Sequence, residues 1–214
     1  MAGWNLKAGA ITEYVVSEDR IWSLFNFVFS DACKKRNTYK FGLIKSLLDS
    51  AFSGEMTEQC VRYSYEELFG RFAYNYWNLV VKYDLRQMRK DGKSEFSKIE
   101  LIFKDVIKEN NIFINLEFES LGADIKNKII KQVTEECKRF VIGALYDDFD
   151  GIIYSFNLKE DGIVLNPRVY DFMLKYKAEL EKLNYYAWAR FLEQILFLIF
   201  LCKLTNLLSW RCQF

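Results

Sequence analysis

One capped, apolar-faced helical segment follows another along almost the whole of this chain, and the pattern breaks only once, after Asp150. Ser17 ahead of Glu18 and Asp19 reads as an N-cap with acids at the positive end of a helix dipole. The helix it starts carries Ile21, Trp22, Leu24, Phe25, Phe27, Val28 and Phe29, apolar nearly all round, and so belongs deep in a core. The polar break at Lys34, Lys35, Arg36 and Asn37 ends it. A second helix begins near Thr38, with Leu43 and Leu47, Ile44 and Leu48 at helical spacing, until Ser53 and Gly54 stop it. Ser64-Tyr65-Glu66-Glu67 is the clearest start, a capping box with Ser64 at N-cap and Glu67 at N3. That helix is expected to continue, kinked at Gly70, through Trp77, Val81, Leu85 and Met88 to the turn at Asp91-Gly92. Ser94 then caps a helix ending at Asn110-Asn111, and a long helix spans 124–146.

Residues 152–158 and 163–165, joined across Glu160-Asp161-Gly162, read as a β-hairpin. Asn166-Pro167 restarts helix, with Asn166 as N-cap and the single proline at N1. Val169, Phe172, Met173, Tyr176 and Leu180 form its buried stripe, and a last helix starts near Asn184. Half of the residues are apolar and 17% are aromatic, ample for a core. The expected fold is mainly α, a multi-helix single domain over 1–194 with one small β-hairpin insert at about 152–165.

The chain has no histidine. Ser-His-Asp and Cys-His nucleophile activation, His-ligated zinc and imidazole acid–base chemistry are thereby excluded. Thirty basic residues against 29 acidic ones give a net charge of +1. Nucleic-acid binding by bulk charge is therefore not expected, although a local basic stripe on a balanced surface is still compatible with it. Cys33, Cys60, Cys137, Cys202 and Cys212 show no zinc-knuckle spacing, and the first ten residues do not read as a secretory signal. Reduced, mostly buried thiols in a cytoplasmic protein are the expectation, with no metal and no cofactor.

From Ile195 the composition shifts. Residues 195–202 are an unbroken apolar run, and only Lys203 and Arg211 carry charge up to Phe214. The segment 195–214 is read here as a tail translated out of its original frame, ahead of a helix buried on all sides. A membrane anchor is the third reading, but the run is shorter than the roughly 20 residues a span needs.

The stripe Lys82, Arg86, Arg89, Lys90 and Lys93 is the leading candidate site. Steps of three and four place these cations on one helix face, where they would meet successive backbone phosphates. A solvated, solubilising helix face accounts for the same spacing. Lys34, Lys35 and Arg36 with Tyr39 and Lys40 form a smaller basic cluster able to add a phosphate contact. Asp147, Asp148 and Asp150 suggest oxygen ligands for magnesium, but acids before Gly151 are ordinary turn chemistry. The aromatic runs Tyr63 to Trp77 and Tyr185 to Trp188 fit a core better than a base-stacking platform.

Several stretches share a pattern. Ile21-Trp22-Ser23-Leu24-Phe25, Asn37-Thr38-Tyr39-Lys40-Phe41, Leu43 to Asp49, Ser64 to Phe69, Tyr76-Trp77, Lys82 to Arg86, Ala144 to Phe149 and Leu183 to Ala189 together resemble the N-terminal region of bacterial HNH endonuclease proteins, over roughly 1–194. The resemblance implies a DNA-handling or target-recognition region. In such proteins the nuclease module lies downstream, as a ββα-metal fold with catalytic histidine and often paired cysteines on zinc. No catalytic residue carries over, since this chain has no histidine and Cys202 and Cys212 stand without partners. The expectation is a non-catalytic nucleic-acid recognition region lacking the nuclease module, with DNA as partner. The alternative is a protein-interaction or scaffolding domain, including a homo-oligomer.

Overall fold

The computed structural model describes residues 5–56, 60–89, 95–113 and 116–211, with side chains up to Phe197 in the last helix. The chain enters through a two-residue strand, β1 (Ala8–Gly9). Helix α1 (Glu18–Phe29) begins where the Ser17 hydroxyl accepts the Arg20 N–H. Ile21, Leu24, Phe25 and Val28 are buried, yet Phe27 is 41% exposed, so α1 lies against the core on one face and is not enclosed.

Helix α2 (Tyr39–Asp49) is the enclosed one. It packs between α3 (Tyr65–Trp77) and α8 (Lys177–Arg211), and every residue from Phe41 to Leu48 is buried. Thr38 precedes it without capping it by side chain. Ser64 does cap α3, accepting the Glu67 N–H, but the Glu67 carboxylate takes the Ser53 hydroxyl, so only half of the expected capping box forms. The complete box stands at α4 (Lys98–Asn110). There Ser97 Oγ accepts from Glu100 N at 3.3 Å, and Ser97 N donates to the Glu100 carboxylate at 2.7 Å. The cap is thus Ser97; Ser94 lies outside the described residues.

Two helices differ from the periodicity. Helix α3 does not reach Met88: after Trp77 the backbone widens into a π turn (Asn78–Lys82), and Asp84 adopts a left-handed φ of 47°. Residues 85–89 then run extended beside 36–38, through Thr38 N–H to Gln87 O (3.0 Å) and Arg89 N–H to Arg36 O (3.2 Å). The 124–146 stretch is two helices, α5 (Ala123–Phe140) and α6 (Ile142–Asp148), broken at Val141.

The hairpin is present, with β4 (Tyr154–Asn157) antiparallel to β5 (Ile163–Leu165) and Tyr154 opposite Leu165. It is the centre of a five-stranded antiparallel sheet ordered β1-β4-β5-β3-β2, where β2 is Glu55–Met56 and β3 is Val61–Tyr63. Gly162, at φ 141°, sits where a Cβ would stand 2.2 Å from the Tyr63 carbonyl oxygen. Asn166 caps α7 (Pro167–Lys175) as its sequence predicts. Asn184 does not start α8. It lies buried inside that helix, donating to Phe41 O at 3.1 Å. The apolar run from Ile195 continues α8 as far as Arg211, and no described helix is long and apolar enough to cross a membrane.

Candidate nucleic-acid interface

The loop between α1 and α2 is built around its own lysines. Lys35 Nζ donates to the carbonyls of Ser30, the C-cap of α1 (2.7 Å), and of Cys33 in the loop beyond it (3.0 Å). Burial holds the Lys35 ammonium below its ordinary pKa, and burial likewise pushes the Cys33 thiol up. Lys40 donates to Lys34 O at 3.0 Å and pairs with Asp148 at 2.5 Å. The loop is therefore pinned from beneath, with Lys34 and Arg36 left exposed on its surface.

The extended 85–89 segment and α8 bring further cations to this loop. Arg89 lies over the Phe191 ring, 4.7 Å from its centroid, and donates to the Gln194 amide oxygen. Arg190 pairs with Asp31 at 3.0 Å. Between loop and α8 lies a cleft of about 320 Å³ reached by Lys34, Lys35, Arg89 and Arg190, with Asp31 the one acid on its wall. On the other side of Lys34 and Lys35 is a wider cleft of about 610 Å³. Arg36, Lys40 and Lys98 line it together with Tyr39, Phe96 and Phe140, and Glu136 is its acid. Lys34 and Lys35 form the wall shared by both clefts.

The described members of the expected stripe, Lys82, Arg86 and Arg89, do not share a helix face, because the helix that would carry them ends at the π turn. Lys82, at the end of that turn, faces Glu117 at 3.7 Å and the Tyr83 ring. Arg86 turns inward to Glu100 at 3.3 Å, with its guanidinium 3.8 Å from the Phe96 centroid. Arg89 alone reaches the clefts, and Lys90 and Lys93 lie outside the described residues. The smaller cluster, Lys34 to Lys40, is the one the fold uses to line a concave surface. Lys98 and Arg190 had no signal in the sequence: each is one charge on an amphipathic helix, and only packing against the 30–38 loop brings it in.

The aromatic run is core except for Tyr74, which is exposed. Tyr63, Tyr65, Phe69, Phe72, Tyr76 and Trp77 are all buried, and Phe72 stacks on Tyr76 with centroids 4.3 Å apart. In the second run Trp188 is buried while Tyr185 and Tyr186 are exposed. Asp148 and Asp150 are engaged by Lys40 and by Arg20 (2.7 Å). No three acidic or thiol side chains among the described residues converge as metal ligands. No protein family, curated protein or solved structure matches the chain.

Proposed function

We infer that this chain is a non-catalytic nucleic-acid recognition domain that grips the phosphate backbone across the two clefts flanking Lys34 and Lys35. The observation that carries the reading is the convergence of cations from the α1–α2 loop, the 85–89 segment, α4 and α8 on two adjoining clefts whose described walls carry two acids. On a chain of net charge +1 such a concentration is local, and a local field of this kind attracts polyanions that the whole molecule would not. The resemblance of the sequence to the helical front region of HNH endonucleases supports DNA as the polyanion. Among the described residues of the sequence-derived stripe, Arg89 keeps a binding role, while Lys82 and Arg86 serve ion pairs within the fold.

The test is anisotropy of a labelled DNA duplex at several salt concentrations. Charge reversal at Lys34 and Arg89 weakens binding about tenfold or more and flattens the salt slope by about one per lost phosphate contact. Lys82→Glu leaves both nearly unchanged. A parent-like affinity in the Lys34 and Arg89 variants overturns the reading.

A protein-interaction surface is the second reading. Leu196 and Phe197 are 45% and 62% exposed where α8 carries the apolar run onward. Its mark is self-association that persists at high salt and is lost in Phe197→Glu.

A further inference from the structure

We propose that the cleft between the α1–α2 loop and α8 is a pocket for a terminal phosphate, a strand end bearing a phosphate monoester; this rests on the nucleic-acid reading above. The two clefts differ in what holds their cations. In the wider one Lys40 is already matched by Asp148 at 2.5 Å. Lys35, on the shared wall, is held by two backbone carbonyls and lies 5.5 Å from the Phe41 centroid, and Arg89, which lines the smaller cleft alone, is held by the Gln194 amide and the Phe191 ring. Neutral groups thus fix both cations in place, and among the described residues neither forms a direct ion pair, so an entering anion displaces no carboxylate from them. Arg190 adds a third charge whose partner, Asp31, is exposed and 3.0 Å away. Exposed Lys34 closes the rim.

Phe41 and Phe191 are buried in the core, and Phe29 is the one half-buried ring on the wall, which leaves the pocket little aromatic face for stacking a base and favours an oxyanion. An internal phosphodiester carries about −1, whereas a monoester carries about −2 near neutral pH and ends in three oxygens. Cations gathered around a concavity, in place of a line along a groove, suit that terminal group. The wider cleft would carry the adjoining backbone.

The experiment compares one short duplex, labelled internally, with 5′-phosphate, 3′-phosphate or only hydroxyl ends, against the full chain. A phosphorylated end is expected to bind about tenfold tighter or more than hydroxyl ends. Arg89→Gln and, at an exposed position where folding is not at issue, Lys34→Gln remove that advantage, while Lys98→Gln weakens every duplex alike. Equal binding of phosphorylated and hydroxyl duplexes overturns the pocket and leaves the backbone reading standing. Binding of none of them overturns both. Inorganic phosphate and a nucleoside monophosphate are titrated alone; saturation by either at the concentration of strand ends that suffices would overturn the assignment to a strand end.

Discussion

The guanidinium of Arg86 stands 3.3 Å from Glu100, a carboxylate only 2% exposed, and is itself 17% exposed. The same carboxylate accepts the Ser97 N–H that closes the α4 capping box. One buried anion thus joins the extended 85–89 segment to the start of α4. Replacing Arg86 by alanine leaves that charge without its cation, and breaking such a pair costs about 3–5 kcal/mol. Denaturant midpoints should show Arg86→Ala strongly destabilised and the pair variant Arg86→Met with Glu100→Gln partly restored. An unchanged midpoint in Arg86→Ala would show that this pair does not hold the 85–89 segment.

Gln87 is a second fixed point of that segment. Its amide oxygen accepts from Thr38 Oγ1 (2.7 Å) and Trp188 Nε1 (3.2 Å), while its amide nitrogen donates to Leu85 O (2.9 Å). Since the Thr38 hydroxyl proton goes to Gln87, the Tyr76 hydroxyl donates to Thr38 across 2.7 Å. Helices α2, α3 and α8 therefore meet the extended segment at one side chain. Gln87→Leu strands two buried donors, Thr38 Oγ1 and Trp188 Nε1, and one acceptor, Leu85 O, at about 1–3 kcal/mol each. The variant should lose stability and, at temperatures where it remains folded, bind DNA more weakly through a misplaced Arg89. Parent-like melting would count against the network.

Tyr39, Tyr76 and Tyr154 are all held far above the ordinary tyrosine pKa, in each case chiefly by burial. In the unfolded chain these phenols ionise near pH 10, whereas in the folded chain they stay protonated. Above that pH the unfolded state binds fewer protons, so stability falls as pH rises, by up to about 1.4 kcal/mol per pH unit for each tyrosine. The contribution is complete below about pH 10 and lost progressively above it. Melting temperature followed across this range, with tyrosinate absorbance as second probe, should show one part of the absorbance, that of the buried phenols, rising only with unfolding. Ionisation of these tyrosines in a chain that is still folded would contradict their burial.

Gly162 tests the sheet. At φ 141°, with the Tyr63 carbonyl oxygen 2.2 Å from where a Cβ would be, alanine strains the backbone and forces β5 away from β3. Gly162→Ala should cost at least about 1–3 kcal/mol, read as a lower denaturant midpoint. A neutral substitution would mean that the β4–β5 turn relaxes without disturbing the neighbouring strand.

What was legible in the sequence is what local chemistry decides. Ser17, Ser64 and Asn166 cap their helices because a short polar side chain reaches a nearby N–H, whatever lies beyond. The β4–β5 hairpin is equally local. The path of 85–89 is not: Leu85 and Met88 keep helical spacing, and only the buried Gln87 amide and Arg86–Glu100 pair, with partners far along the chain, pull the segment straight. Strands β1 and β2 have two residues each, too few to show alternation. The cation surface was half legible, since Lys34, Lys35, Arg36 and Lys40 are contiguous in sequence while Lys98, Arg89 and Arg190 join them through the packing of α4, the 85–89 segment and α8.

Because Lys34 and Lys35 belong to both clefts, filling one and filling the other form a single linked equilibrium. An anion drawn to these two lysines from one side changes the field met from the other, and the effect runs equally in both directions. A ligand long enough to occupy both clefts would therefore experience cooperativity between its own two ends, transmitted through a wall one loop thick.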